Sequence, residues 1–586
     1  SGTFEYDGIL LTEIRDLLPL PMEHAVDRTR EGVAVWQENT IRKVFHDSCR
    51  VSVSEPFRVE MARNESEGLQ LAFRSCLPLN DLTLTATAPV EESGASLAAP
   101  EVGMIGYVPV DSVSEYYRFQ LKPWEMPVPD SNTAGMDFPD PILPGSQFDL
   151  EPLKTRSAWL GFETTADTRP GLYLGTIELR SGGKLLGSYP YQVLVRDFVL
   201  DREGRLPAVF DIRYGSRRDL KGYSLEELLR FMAQKKICPD RVPVEPRFTL
   251  EDGRVAADFT EYDRMTELYF DELKFPFSYY PSFFSGFGWA NVPDAKFNIR
   301  AFDGGPLYEN TDRSRLRPEY KAVYQQALRL FLNHIREKEW ADRMTVFIAD
   351  EPYWEMSAQL GALCDMIHEV SPEIRIYSST WWYKSELDGR LDYWGAGIHG
   401  SIPPEILEEI RAKAGKFYFT MDGHFCLDTE YNAAERMLPL FCYKYGAELY
   451  EFWGADWFTR NPFEWGQHDV TLEHSAPGIS EWIRYPNGDG YLLYPGKPAG
   501  AGRKILSSIR LEAVRDGVED FDYYRQLARL VEKSGDRKGA EILAELKTLI
   551  AMPNLGGRNS AGILPDPDRF TELRSAAAEA IVRLQR

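Results

Sequence analysis

Two adjacent carboxylic acids, Asp350 and Glu351, are the residues of this chain best suited to acid–base chemistry. They follow an apolar run at 347–349 and precede Pro352, which cannot continue the hydrogen bonds of a sheet. Consecutive α-carbons lie only ~3.8 Å apart, so we expect one carboxyl group with a raised pKa and one that stays ionised. Pro352 also predicts an extended backbone at Glu351. The alternative is that Asp350 caps a helix beginning near Trp354 while Glu351 is solvated.

Aromatic side chains accompany these acids. Seven of the 13 tryptophans lie between Trp381 and Trp482. Aromatic rings stack on the apolar faces of sugars, and carboxylates accept hydrogen bonds from sugar hydroxyls, so this pattern indicates a carbohydrate pocket. The alternative is that the aromatic residues only pack the rim of the fold. The ends of other predicted strands offer Tyr279, Tyr280, Thr380, Trp381, Trp382, Tyr383, Tyr393, Trp394, His399, Asp422, His424, Trp453, Asp456 and Trp457.

The composition argues against several other functions. The 586 residues carry 67 Lys and Arg against 90 Asp and Glu, a net charge of −23. Nucleic acids and anionic membranes attract basic proteins, so we expect neither as a partner. The chain has no run of ~18 apolar residues, no phosphate-binding loop of the G-x-x-x-x-G-K-[ST] type and no H-E-x-x-H helix.

The cysteines give no sign of a metal site. The six are scattered without a C-x-x-C pair, and Cys426 lies two residues after His424. Structural zinc requires four ligands, so we expect no metal, and nothing indicates an organic cofactor. Scattered cysteines and an amino terminus unlike a signal peptide favour a cytoplasmic setting, with a removed signal left open. The oligomeric state is also left open.

The elements that must position these residues change along the chain. The first 203 residues contain alternating apolar and polar runs, such as 82–87 and 172–179, with a turn signal at Pro170-Gly171. Short alternating strands between Gly/Pro turns predict an antiparallel β-sandwich domain over residues 1–203.

From residue 204 to 530, strand-like runs alternate with helical patterns. Ser224 and Glu227 form a capping box, and Pro318 begins an amphipathic helix. Eight predicted strands with intervening helices indicate a catalytic (β/α)8 TIM-like barrel, whose active site lies at the carboxyl ends of the strands. Residues 531–586 are predicted to form a C-terminal helical segment. The eight strands are 208–210, a segment near Ile237, 277–280, 345–348, 374–377, 391–394, 416–419 and 448–452.

Five segments carry a resemblance to a known family. They are Arg63-Asn64-Glu65, Asp350-Glu351-Pro352, LDYWG at 391–395, GDGYLLYPG at 488–496 and SIRLEAVRDGVED at 508–520. On these segments the chain resembles glycoside hydrolase family 123 and its close relatives, which are bacterial β-N-acetylgalactosaminidases. The resemblance covers most of the chain.

The resemblance implies a retaining mechanism without an enzymic nucleophile. The 2-acetamido oxygen of a terminal β-linked N-acetylgalactosamine would attack C1 and form an oxazoline intermediate. Glu351 would be the general acid and then the base, and Asp350 would accept the acetamido N–H. By similarity with other acetamido-assisted barrels, further substrate contacts are expected from Tyr393 as donor to the acetamido oxygen, Trp453 as floor, Trp381 and Trp394 as walls, and Asp456 and Asp422 as hydroxyl acceptors.

Two other functions stay open at this point. One is a glycosidase on the same scaffold that acts internally on glycans or prefers β-N-acetylglucosamine. The other is a non-catalytic glycan-binding protein, which would keep the aromatic residues but would not need both carboxylates.

Overall fold

The computed structural model describes most of the chain in twelve segments. They are residues 32–50, 56–111, 136–200, 206–286, 309–310, 315–380, 382–397, 404–421, 425–466, 469–473, 480–550 and 563–586.

In the described part of the chain, eleven strands form the amino-terminal sandwich. One sheet has the order β1-β3-β9-β6-β7, and the other has the order β2-β11-β10-β4-β8 with β5 beside β10. Strands β10 and β11 are joined by Gly182-Gly183, both at positive φ, which is the backbone that a two-residue hairpin turn requires. The strands are β1 Val33–Glu38, β2 Phe57–Arg63, β3 Ser66–Ser75, β4 Leu79–Ala86, β5 Val90–Glu91, β6 Glu101–Val110, β7 Met136–Pro144, β8 Gln147–Leu150, β9 Arg156–Glu163, β10 Gly171–Ser181 and β11 Lys184–Val199.

The predicted sandwich is present, but its pairing is not wholly antiparallel. Strands β2 and β11 run parallel from Phe57 beside Tyr191 onward. The inward residues of both sheets, such as Leu71 and Val193, are fully buried and form the core between them.

The second domain is the predicted barrel. Its eight parallel strands follow one another around the ring in the order β13-β12-β21-β20-β19-β18-β17-β16. A parallel bridge between Arg241 and Tyr279 links the two outermost strands, so the ring is nearly closed. The strands are β12 Ala208–Phe210, β13 Cys238–Pro239, β16 Ser278–Tyr279, β17 Met344–Ala349, β18 Ile376–Ser378, β19 Tyr393–Gly397, β20 Lys416–Met421 and β21 Leu449–Phe452.

Helices and short hairpins surround this ring. The predicted capping box is confirmed, because the Ser224 hydroxyl accepts the Glu227 N–H and the Glu227 carboxylate accepts the Ser224 N–H. The helices are α1 Arg218–Lys221, α2 Leu225–Gln234, α3 Thr260–Thr266, α4 Pro318–Glu337, α5 Ser357–His368, α6 Pro404–Ala412 and α7 Ala433–Tyr445. Three hairpins complete the domain, β14 Arg247–Glu251 with β15 Arg254–Asp258, β22 Asp469–Glu473 with β23 Ser480–Arg484, and β24 Tyr494–Pro495 with β25 Ile505–Leu506.

Three helices close the chain, α8 Ile509–Ser534, α9 Arg537–Leu549 and α10 Pro567–Gln585. Helix α8 packs closely on α7, because a β-carbon at Gly517 would lie 2.4 Å from the Arg436 carbonyl oxygen. The predicted boundary between residues 530 and 531 falls inside α8, which runs unbroken to its cap at Gly535. In the part of the chain that the structure describes, no helix is long and apolar enough to span a membrane.

The shift of one predicted strand bears on the active site. We expected a strand at 391–394, but β19 begins at Tyr393 and continues to Gly397. Tyr393 and Trp394 therefore open the strand rather than end it, and this shift decides where their side chains lie.

Candidate active site

Asp350 and Glu351 directly follow β17, at the end of the barrel where we expected the active site. A single hydroxyl connects them. Ser379, directly after the neighbouring strand β18, donates its Oγ–H to Asp350 Oδ1 at 2.9 Å and accepts the Glu351 N–H at 2.8 Å. Because Ser379 is itself 5% exposed, it fixes the relative positions of both acidic residues.

The backbone at Glu351 differs from the extended form that we predicted. Its φ is 43°, in the left-handed region that non-glycine residues rarely adopt. The next residue is held in place as well, since the Trp382 indole donates to the Pro352 carbonyl at 2.5 Å. A strained backbone of this kind costs about 1–3 kcal/mol and persists only where surrounding contacts impose it. Helix α5 begins at Ser357 after its cap at Met356, so Asp350 is not a helix cap.

A third carboxylate lies inside the barrel on β21. The Tyr377 hydroxyl donates to Glu451 Oε1 at 2.6 Å, and the Tyr279 hydroxyl donates to Glu451 Oε2. The two phenol rings stack with centroids 5.6 Å apart. Burial and the nearby Glu451 carboxylate raise the pKa of Tyr279, which keeps this phenol a neutral donor. Glu451 is partly exposed, whereas both tyrosines are buried, so its carboxylate forms part of the floor of the barrel mouth.

Strand β12 adds another acidic residue beside this floor. Asp211 follows β12 and pairs with Arg213 at 2.6 Å between Oδ2 and Nη2. Burial, followed by the like charge of Asp240, raises the pKa of Asp211. Asp240 in turn pairs with Arg241 at 2.8 Å. Within the described residues, the mouth therefore contains acidic groups from four of the eight strands or the loops directly after them.

Trp453 lies where we predicted, directly after β21. Its indole N–H donates to Asp489 Oδ1 at 3.2 Å. It packs against Trp457 and Tyr485, with centroid distances of 5.0 and 5.3 Å. Asp489 belongs to the segment 488–496, so one part of the motif orients this tryptophan.

Tyr393 was assigned to the wrong end of the barrel. It opens β19 and pairs in register with Lys416, which opens β20. Its hydroxyl donates to Glu448, the residue before β21, at 2.9 Å. All strands of a parallel barrel point the same way, so Tyr393 lies at the amino end, opposite Asp350. It does not reach an acetamido group bound at the mouth.

Two more assigned residues are buried in structural positions. Trp394 is 1% exposed and packs against Tyr383 with ring centroids 5.1 Å apart, so it does not wall a sugar. Asp456 is fully buried, accepting the Arg213 N–H and the Lys221 ammonium, each at 2.6 Å. It joins the loops after β12 and β21 and is not available to sugar hydroxyls.

Trp381 and Asp422, and with them His399 and His424, lie outside the described residues. Their predicted roles stay predictions.

Sequence reasoning missed Ser379 and Glu451. A signal for Glu451 was present, because a single acidic residue interrupts an otherwise apolar strand, Leu449-Tyr450-Glu451-Phe452. Ser379 had the weaker signal of a small polar residue directly after a barrel strand. Among the described residues, no three His, Cys, Asp or Glu side chains converge as a metal site.

Comparisons with known proteins bear on the family and on the fold. Residues 247–527 match the family model of the glycoside hydrolase 123 catalytic domain. A solved family 123 glycoside hydrolase from Clostridium perfringens, analysed for the details of glycolipid glycan hydrolysis, is 14% identical with a TM-score of 0.66. That match covers 94% of this chain and 100% of that chain. It shows that the two share a fold across sandwich, barrel and carboxyl-terminal helices.

Weaker matches add no argument. A Bacteroides ovatus family 5 xyloglucanase has a TM-score of 0.28 and 7% identity, over 83% of this chain and 99% of that chain. A family 2 glycosyl hydrolase from Bacteroides cellulosilyticus has a TM-score of 0.24 and 8% identity, over 72% of this chain and 46% of that chain. A search of curated protein sequences finds no match.

A barrel with paired acids at its mouth, together with the matched catalytic-domain model, defines an enzyme that hydrolyses glycosidic bonds. Residues 247–527 of the chain form a catalytic domain of glycoside hydrolase family 123.

Proposed function

We propose that this enzyme is a retaining exo-β-N-acetylgalactosaminidase that uses the acetamido group of its substrate as the nucleophile. The observation that carries the proposal is the fixed pair Asp350 and Glu351, both bonded to the Ser379 hydroxyl. A substrate that supplies its own nucleophile needs one carboxyl group at the leaving oxygen and a second beside the acetamido nitrogen. Two adjacent residues at one strand end meet that need.

The first step transfers a proton from the Glu351 carboxyl group to the glycosidic oxygen. The bond from C1 to that oxygen breaks as the acetamido oxygen attacks C1, which gives a cyclic oxazolinium ion and the free alcohol. Asp350 accepts the acetamido N–H and stabilises the positive charge that develops on the ring.

The second step reverses these roles. The Glu351 carboxylate removes a proton from water, and the water oxygen attacks C1 from the side that the alcohol left. The bond between C1 and the acetamido oxygen breaks and the acetamide is restored, so the anomeric configuration is retained. The Ser379 hydroxyl keeps Asp350 in place through both steps because it is bonded to that carboxylate and to the Glu351 backbone.

Glu451 supports recognition of the same sugar. The phenols of Tyr279 and Tyr377 orient the Glu451 carboxylate, and Glu451 is partly exposed at the barrel mouth. We assign Glu451 the role of accepting sugar hydroxyls at the floor of the mouth, with the Trp453 indole offering an apolar surface beside it.

The experiment uses the variants Glu351→Gln and Asp350→Asn on a β-N-acetylgalactosaminide with a poor leaving group. We expect each variant to lose roughly 10²–10⁴-fold in kcat, the usual scale for general acid–base catalysis. Glu351→Gln should lose far less on a substrate whose leaving group needs no proton. Glu355→Gln is the matched control, because Glu355 is exposed four residues further along and should change nothing.

Two results would contradict the proposal. One is full activity of Glu351→Gln on the poor leaving group. The other is efficient cleavage of a plain β-galactoside, which has no acetamido group. Parallel assays with galacto- and gluco-configured N-acetylhexosaminides decide the sugar preference.

A further inference from the structure

An exposed aromatic pair borders the catalytic acid. Tyr353 is 55% exposed and Trp354 is 48% exposed, and they follow Glu351 after only one intervening residue. They are the two most exposed aromatic side chains in the part of the chain that the structure describes. Large apolar side chains are normally covered by the fold, so an exposed pair beside a reactive site indicates contact with a ligand.

The indole of Trp354 is held in one orientation. The Lys384 ammonium lies 4.5 Å from its ring centroid, and Trp382 packs against it nearly edge-on with centroids 5.6 Å apart. Lys384 is itself held by the Ser357 hydroxyl at 2.8 Å, and Trp382 by the Pro352 carbonyl. A side chain fixed in this way loses little conformational entropy when a ligand stacks on it.

We propose that Tyr353 and Trp354 form the binding site for the leaving part of the substrate, and that this part is a sugar ring. The inference rests on the proposed function, which places Glu351 at the leaving oxygen. Only Pro352 separates Glu351 from Tyr353. The Trp382 indole that donates to the Pro352 carbonyl also packs against Trp354, so we place the group attached to that oxygen beside this pair. The apolar face of a pyranose matches an indole, and the exposed Tyr353 hydroxyl suits the polar rim of a sugar.

The position of the pair separates it from the recognition of the terminal sugar. Glu451 and Trp453 belong to β21 and its end, which lies four places around the ring from β17. The terminal sugar would therefore be recognised from the β21 side, and the leaving sugar from the β17 side. This division predicts that the aromatic pair matters only when the leaving group has a ring to stack.

The test compares two substrates with the same terminal sugar. One is β-N-acetylgalactosaminyl fluoride, whose leaving group has no ring and needs no proton. The other is a disaccharide of β-linked N-acetylgalactosamine and a hexose. We expect Trp354→Ala to lower kcat/KM on the disaccharide roughly 5- to 50-fold, with the fluoride unchanged within about twofold. Trp354→Phe should recover part of the loss, and Tyr353→Ala should lose less than Trp354→Ala.

Leu174→Ala serves as the matched control, since Leu174 is 54% exposed on the sandwich and should affect neither substrate. Equal losses on both substrates, or no loss on the disaccharide, would overturn the proposal. A larger loss on N-acetylgalactosaminyl peptides or alkyl glycosides than on the disaccharide would also overturn it, because the leaving group would then be a peptide or a lipid.

Binding distinguishes a failure of this inference from a failure of the proposed function. Saturation-transfer NMR with methyl β-galactoside probes the leaving-sugar site in the absence of turnover. Contact in the wild type that is lost in Trp354→Ala supports the aromatic site even if no N-acetylgalactosaminide is cleaved. Absence of contact in the wild type counts against it whatever the enzyme hydrolyses.

Discussion

Acidic side chains crowd together in two regions of this molecule, the mouth of the barrel and the contact between helix α8 and its neighbours. At the mouth, Asp350 accepts a serine hydroxyl and Glu451 accepts two phenols. At the α8 contact, each acidic group meets a buried cation. Arg436 pairs with Asp516 at 2.6 Å and Asp520 at 2.7 Å, and Arg574 pairs with Asp520 at 2.6 Å and with Glu65.

This difference separates the structural acids from Asp350 and Glu451, to which we assign roles in the reaction and in substrate binding. A carboxylate paired with buried guanidinium groups is fixed in position, and such pairs bind the sandwich and the helices to the barrel. A carboxylate held by neutral hydroxyls is positioned and can still gain or lose a proton or accept a ligand hydroxyl. The two regions therefore respond differently to substitution, in stability at the α8 contact and in catalysis at the mouth.

The largest effect is expected at the α8 contact. Arg574→Met leaves the buried Glu65 carboxylate without its cation and removes one of the two cations beside Asp520, and we expect a loss of about 3–5 kcal/mol in unfolding free energy. Chemical denaturation measures the loss, and kcat per folded molecule should be unchanged. Arg583→Met on the same helix is the control, because Arg583 is 47% exposed and its pair with Asp536 should contribute below ~1 kcal/mol. Equal stability of the two variants would contradict the distinction.

The pH dependence of stability tests the same contact. Burial, followed by the like charge of Asp516, raises the pKa of Glu67 to about 8. The folded chain then holds a proton that the unfolded chain releases above its ordinary pKa of 4.5, so this group's stabilising contribution falls as the pH rises from about 5 to 8. The side chain introduced in the variant Glu67→Gln does not titrate. Between pH 5 and pH 8 the unfolding free energy of the variant should therefore rise by on the order of 3 kcal/mol relative to that of the wild type. If the difference in unfolding free energy between the variant and the wild type is the same at pH 5 and at pH 8, this prediction is wrong.

At the mouth, Glu451→Gln should act on catalysis. The amide loses the charge and presents an N–H group to at least one phenol donor, so we expect kcat/KM to fall about 10- to 150-fold, the scale of a hydrogen bond to a charged group. Its control, Glu448→Gln, lies at the amino end of the same strand and should leave kcat/KM unchanged. Similar losses of kcat/KM in both variants would show that Glu451 does not bind the substrate.

The smallest effect is expected at the amino end of the barrel. Tyr393→Phe removes one hydrogen bond to Glu448 and should cost about 0.5–1.5 kcal/mol in stability, with kcat/KM within about twofold of wild type. A loss of 100-fold in kcat would restore the role of this hydroxyl as donor to the acetamido oxygen, which the resemblance implies.

The structure shows which site residues could be predicted from local sequence patterns. The pair Asp350 and Glu351 was predictable because an apolar strand of ordinary length ends directly before it. Tyr393 was misplaced because its strand begins two residues later than expected, and such a shift moves a residue from one end of a barrel to the other. Asp456 was misassigned because the lysine that pairs with it, Lys221, is 235 positions away in the chain.

The positions of Ser379 and Glu451 depend on contacts between strands that are distant in sequence. Ser379 meets Asp350 across 29 positions, and Tyr279 meets Glu451 across 172. No local pattern encodes such pairings. The sequence signal for Glu451, a lone acid in an apolar strand, becomes meaningful only when the strand order places two tyrosines opposite it.

The most direct test of the central claim varies the nucleophile that the substrate supplies. Fluorine atoms on the acetamido methyl withdraw electron density from the amide oxygen without altering the leaving group. We predict that kcat/KM falls steadily from acetyl to mono-, di- and trifluoroacetyl substrates, by roughly 10²-fold or more over the series. Equal rates across the series would show that the acetamido oxygen does not attack C1, and would contradict the roles assigned to Asp350 and Glu351.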